Sequence, residues 1–218
     1  MGRNMHLWRF GHFGQPVIVF PTAAGFAHEW KSQGMVEALA DLIGGGKIKL
    51  YCPESNVSEA WTRKEVHPGE RIQKHLLYER WVMEVLVPWV RADCRSSEMP
   101  LVCVGASLGG YYAANFALKH PETFRWALCM SGRYEMRNFT EGYDSPAIYF
   151  NNPLAFVPNL EGAALDRVRQ TRITLVCGRG AYEEGCIEET LALAAWFRRK
   201  QIPHREDIWG RDSRHGWD

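Results

Sequence analysis

Ser107 stands between two glycines in Gly105-Ala106-Ser107-Leu108-Gly109, after the apolar run Leu101–Val104 (LVCV) and before LGGYYAANFALKH. A serine in G-x-S-x-G at a strand-to-helix junction sits on a tight turn that pushes its hydroxyl out over a sheet, where the helix N-terminus favours developing negative charge. Such a hydroxyl attacks a carbonyl carbon only if a base takes its proton, so a histidine and an orienting carboxylate are required. On a strand–turn–helix scaffold these follow in the order serine, acid, histidine. Of eight histidines, only His204 and His215 come after the apolar run Ile173–Cys177. His204 opens the last strand pattern, where capping or packing suits it, whereas His215 lies in the polar stretch GRDSRHGWD and is the expected base. The acid should come from CGRGAYEEGCIEET, which offers Glu183 and Glu184. Spacing does not separate them; Gly185, which permits a sharp turn alongside, favours Glu184 slightly. Glu188 and Glu189 read as charge at a helix start. For the oxyanion, the first expected backbone donor is Leu108 N–H, and the second is Ala23 in FPTAAG, with Ala24 next.

These residues need a scaffold that alternates strands with helices. Short apolar runs occur at Val17–Phe20, Ile48–Cys52, Leu101–Val104, Trp126–Met130 and Ile173–Cys177, followed by a more polar run at His204–Trp209. Helical patterns fall between them at Met35–Ile43, Glu70–Arg91 (broken or kinked near Pro88), Leu108–Lys119 and Glu188–Lys200. This alternation predicts an α/β fold, a mostly parallel sheet with helices on both faces, formed as one domain over residues 1–218 without a separate lid domain. HLWRF near the amino terminus could add an antiparallel edge strand. One connection, Ser131–Pro158, is long, aromatic and turn-rich, as functional connections often are.

Composition excludes several functions. A formal charge of +1, with both signs interspersed, gives no footprint for nucleic acid or an anionic membrane. No apolar stretch is long enough for a signal peptide or a spanning helix, so the expected location is cytoplasmic. Six cysteines without a C-x-x-C pair read as reduced core thiols, in keeping with that location. H-E-x-x-H is absent, GGGK at Gly44–Lys47 lacks P-loop spacing, and His75 with Glu79 reads as a solvated helix face; no metal and no cofactor is expected. The expected partner is a small-molecule ester, with room left for a homo-oligomer.

Over most of its length the chain resembles the esterase family of α/β-hydrolases that includes S-formylglutathione hydrolases, enterochelin esterases, feruloyl esterases and mycolyltransferases. The likeness runs through VIVFPT, GMVEAL, GASLGGYYAANFALKHPETF, CMSGRYEM, YFNNP and WGRDSRHGW. It implies Ser107 as nucleophile, His215 as base and an acid after Cys177. In many relatives an Asp occupies the place held here by Ala181, and counting back from Cys186 aligns Glu184 with the acid. The sequence also stops three residues after His215, where relatives usually add a helix, implying either a shortened chain or a loosely held base. The resemblance implies an enzyme, a carboxylic ester hydrolase working through an acyl-enzyme; acyl transfer with the same triad and a non-catalytic binding protein are the alternatives. Tyr134, Phe139, Tyr143, Tyr149, Phe150 and Phe156 form either a roof over Ser107 or part of the core. A roof would imply a preference for short acyl chains.

Overall fold

The computed structural model describes residues 2–217. Its seven strands are β1 (Leu7–Phe10), β2 (Gln15–Phe20), β3 (Ile48–Pro53), β4 (Leu101–Ala106), β5 (Phe124–Met130), β6 (Arg172–Cys177) and β7 (His204–Ile208). They form one sheet in the order β1-β3-β2-β4-β5-β6-β7. Only β1 is antiparallel, pairing Leu7 with Pro53 and Phe10 with Leu50; the remaining neighbours are parallel. From β2 the chain moves outward to β3, then crosses back to β4 on the other side. The loops leaving β2 and β4 therefore part at a topological switch point, where open α/β sheets bind ligands.

Helices α1 (Glu29–Ser32), α2 (Met35–Ala38) and α3 (Ala40–Gly44) cover one face. Trp30, Met35, Leu39 and Ile43 pack there on Val17, Val19, Leu50 and Val104. Residues of opposite pleat, Ile18, Phe20, Cys103 and Cys129, face the larger core. Helices α4 (Val57–Ala60), α5 (Pro68–Trp81) and α6 (Val87–Asp93) precede β4, and α7 (Leu108–Lys119) follows it. Beyond β5 come α8 (Pro146–Tyr149), α9 (Pro153–Phe156) and α10 (Gly162–Val168), then α11 (Cys186–Lys200) between β6 and β7. No helix among the described residues is long and apolar enough to cross a membrane.

Three local expectations change. The pattern Met35–Ile43 forms two helices because Leu39, at φ −100°, ψ 9°, leaves the helical region. Near Pro88 the helix does not break. Residues Val82–Leu86 form a π-turn closed by Val87 N–H to Val82 O, a bulge that accommodates a ring unable to donate. His75 is not on a solvated face: it is fully buried, accepting from Trp61 Nε1 at 3.2 Å and facing Asn151 Oδ1 across 2.9 Å. The same amide oxygen accepts from Asn115 Nδ2 and Lys119 Nζ, so the partners predicted to lie in water are found in a buried polar network.

The Ser131–Pro158 connection is pinned rather than loose. Glu189, read from the sequence as helix-start charge, is buried. Its carboxylate accepts from the backbone N–H groups of Tyr134 and Glu135 and from Arg133 and Asn138. Farther along the segment buried Arg71 donates to Phe139 O and pairs with Glu141.

Candidate active site

Ser107 lies at φ 56°, ψ −126°, a left-handed position that a non-glycine residue occupies only when its surroundings impose it. The flanking glycines supply that constraint. A Cβ on Gly105 would come within 2.3 Å of the Gly109 backbone, and one on Gly109 within 2.3 Å of Phe20 O. Only hydrogen at both positions lets α7 start this close to the ends of β2 and β4. Ser107 N–H donates to Met130 O at 2.9 Å, tying the turn to β5.

His215 arrives from the loop after β7. That loop is laced to the one after β6 by Trp209 N to Cys177 O, Arg179 N to Gly210 O, Gly180 N to Ser213 O and His215 N to Ala181 O, all between 2.9 and 3.1 Å. Side chains at 178 and 180 would forbid this, since a Cβ on either glycine would fall within 2.5 Å of Ser213 O. The backbone of His215 is thus firmly placed. Its Nε2 lies 3.0 Å from Ser107 Oγ, and its Nδ1 lies 3.3 Å from Glu183 Oε2. An ionised carboxylate only accepts, so Nδ1 carries the proton and Nε2 turns its lone pair to the serine.

Of the two adjacent glutamates, Glu183 is 2% exposed and faces His215, while Glu184 points to solvent. The slight preference for Glu184 drawn from Gly185 and from counting back from Cys186 does not match this arrangement. Helical spacing held the better signal: Glu183 lies three and seven residues before Cys186 and Thr190, both buried, whereas Glu184 lies four before exposed Glu188. Ile187 N–H indeed donates to Glu183 O at 2.9 Å. The carboxylate is further held by Ser131 Oγ at 2.5 Å and Cys177 Sγ at 3.4 Å. Burial, reinforced by the Glu183 charge, pushes the thiols of Cys177 and Cys186 up to about 12, so both stay protonated and Cys177 can donate. Ser131, at φ 46° directly after β5, was not singled out from sequence; its place at the carboxyl end of a central strand was the available clue.

At the switch point Thr22–Gly25 forms a turn, closed by Gly25 N to Thr22 O at 3.0 Å. Buried Glu29 fixes it, accepting from Thr22 N at 2.7 Å and Thr22 Oγ1 at 2.5 Å. Ala24 N–H donates to Thr22 Oγ1, so Ala23, exposed at the first central position of the turn, is the better placed of the two candidate donors. Leu108 opens α7, where first-turn N–H groups have no intrahelical acceptor.

The aromatics of the Ser131–Pro158 connection divide between core and surface instead of forming one continuous roof. Tyr134 and Phe156 are buried. Phe150, 58% exposed, lines a cavity with Leu118, Lys119 and Phe156 at the carboxyl end of α7, the opposite end from Ser107. Tyr143 packs edge-on against His67. The pins of that segment explain the outcome: Tyr111 OH donates to Asn151 O, and Asn151 is locked to α5 and α7, which draws Tyr149–Phe156 toward the far end of α7.

Residues 15–218 match the sequence profile of the family described as Putative esterase. The fold is shared with several solved structures. A ferulic acid esterase superposes with a TM-score of 0.71 at 15% identity, covering 94% of this chain and 79% of that one. MPT51 of Mycobacterium tuberculosis gives 0.70 at 18% identity, covering 99% and 88%. An S-formylglutathione hydrolase from Agrobacterium tumefaciens gives 0.69 at 14% identity, covering 98% and 83%. No curated protein matches the chain.

Proposed function

The chain belongs to this esterase family, and from that premise we propose that it hydrolyses carboxylic esters of short acyl chains through an acyl-enzyme on Ser107. One observation carries the reading: His215 bridges Ser107 Oγ and Glu183 Oε2 at 3.0 and 3.3 Å in a loop clamped at four backbone positions. In this reading Ser107 Oγ attacks the ester carbonyl while His215 Nε2 takes its proton. Glu183 holds the tautomer and stabilises the imidazolium, and Leu108 and Ala23 N–H groups receive the oxyanion. His215 then protonates the departing alkoxide. A water, deprotonated by the same nitrogen, releases the acid and restores the serine. Such an assembled relay argues against the non-catalytic alternative.

The short-chain preference no longer rests on an aromatic roof. Its support is that the exposed residues of the Thr22–Gly25 turn are small, Ala23 and Ala24, and that two cavities open elsewhere. One lies at the carboxyl end of α7; the other, about 650 Å³, is lined by Val102, Trp126, Arg172 and His204 near the strand beginnings. Each methylene without an apolar surface to enter forfeits about 1 kcal/mol or more of transition-state binding. Across p-nitrophenyl acetate, butyrate, octanoate and palmitate, kcat/KM should fall steeply beyond butyrate. A rise toward palmitate would overturn the chain-length reading, and inactivity on the whole panel would overturn ester hydrolysis.

A further inference from the structure

Behind His215 lies a thiol that ester hydrolysis does not use. Cys186 Sγ sits 3.9 Å from His215 Nδ1, on the side of the ring turned away from Ser107. Together with a Glu183 carboxylate oxygen, these atoms all lie within 4.8 Å of one another. The edges suit a small tetrahedral ion: bonds of about 2.3 Å to sulfur and about 2.0–2.1 Å to nitrogen or oxygen put ligand atoms about 3.6 Å (N to S) and about 3.3 Å (N to O) apart. The separations in the protein are 3.9 Å for Nδ1 to Sγ and 3.3 Å for Nδ1 to Oε2. A soft thiolate and a borderline imidazole, beside one hard carboxylate, favour zinc over magnesium or calcium.

We propose that Glu183, Cys186 and His215 Nδ1 form an inhibitory site for a thiophilic divalent ion, zinc above all, whose binding switches ester hydrolysis off. The proton balance gives the mechanism. Cys186 releases its proton to solvent on binding as thiolate, and the neutral imidazole moves its proton from Nδ1 to Nε2 to free Nδ1 for the metal. The site, with one thiolate and one carboxylate, cancels the dication's charge, and a water completes four-coordination. Nε2 then presents N–H to Ser107 and cannot accept the serine proton. The ion thus locks the ring in the unproductive tautomer and takes Glu183 as well. Entry is past His215, whose side chain is 27% exposed, because Glu183 and Cys186 are buried.

The inhibitory consequence rests on His215 being the base; the metal site does not, so the two are tested apart. Cobalt(II) titrated into Ser107→Ala protein should give a thiolate-to-cobalt charge-transfer band that zinc displaces. That band should be missing when Cys186→Ser or Cys186→Ala is added, with circular dichroism showing each variant folded. Failure to see the band, or its persistence without Cys186, overturns the site. In protein with Ser107 intact, zinc should inhibit hydrolysis of p-nitrophenyl acetate and a chelator should restore it, with magnesium inert. Cys186→Ser should need at least tenfold more zinc, each protein being compared with its own metal-free rate. Cobalt binding at Cys186 without zinc inhibition would overturn the switch and speak against His215 as base.

Discussion

At the scale of single residues, the decisive contrast is between neighbours of identical chemistry. Glu183 and Glu184 differ only in where the backbone turns them, so the pair isolates the orienting role from charge near the site. Glu183→Gln keeps size and burial but supplies an amide that does not favour the Nδ1–H tautomer. Turnover should drop by about 10³- to 10⁴-fold, the loss seen when an orienting carboxylate is neutralised. Glu184→Gln should stay within about threefold of the parent. Steady-state kinetics on p-nitrophenyl acetate separates the two, and equal effects would contradict the arrangement. Ser107 and His215 were legible in the sequence because motif and chain order single them out. The acid was only narrowed to two, since an irregular turn with Tyr182 at φ 67° and Gly185 at φ 79° sets side-chain direction there. Ser131, Glu29 and Glu189 carry no motif; they became visible only when burial showed what each carboxylate or hydroxyl holds in place.

At the scale of elements, close approach of backbones builds the elbow, and glycine identity is its sequence signature. Gly109→Ala would drive a Cβ to 2.3 Å from Phe20 O and 2.7 Å from Pro21 O, atoms that cannot swing aside as a flexible side chain would. The variant should lose about 3 kcal/mol or more in urea denaturation, together with its activity. Gly44→Ala is the control: it ends α3 with nothing within 4 Å of its Cβ, so stability should hold or rise by up to about 1 kcal/mol. The strands were legible because buried parallel strands read as short apolar runs. Helix α10 (Gly162–Val168), at only two turns, is too short to show an apolar periodicity that could be read. The aromatics of Ser131–Pro158 were visible as composition alone, which says how much apolar surface a segment buries but not at which end of α7.

For the whole molecule, buried titratable groups make acid the weak direction. Burial, with some help from the Lys119 charge, lowers His75 from 6.5 to about 4. The folded protein therefore resists a proton that the unfolded chain accepts below about 6.5. No penalty exists above that pH; it grows as pH falls toward 4 and then levels off. Burial alone would raise Glu79, but His120 and Lys119 outweigh it and bring the carboxyl from 4.5 to about 2. Its stabilisation is complete above 4.5 and is lost as pH falls toward 2. Burial pulls Lys119 below its usual value despite Glu79, so the pair contributes less than the Glu79 shift alone suggests. Each acid limb is worth at most about 3 kcal/mol. Urea midpoints should fall steadily from pH 6.5 to 4 and then further, and His75→Gln should flatten the upper part of that curve. Midpoints unchanged between pH 6.5 and 4 would contradict a buried neutral His75.

The relay of Ser107, His215 and Glu183 is tested most directly by trapping the intermediate. Protein mixed with excess p-nitrophenyl acetate and quenched in acid within milliseconds should carry one acetyl group, which peptide mapping by mass spectrometry should locate on Ser107. Folded Ser107→Ala protein should carry none and turn over no ester. An acetyl group on another residue, or undiminished hydrolysis by the folded alanine variant, would contradict the account.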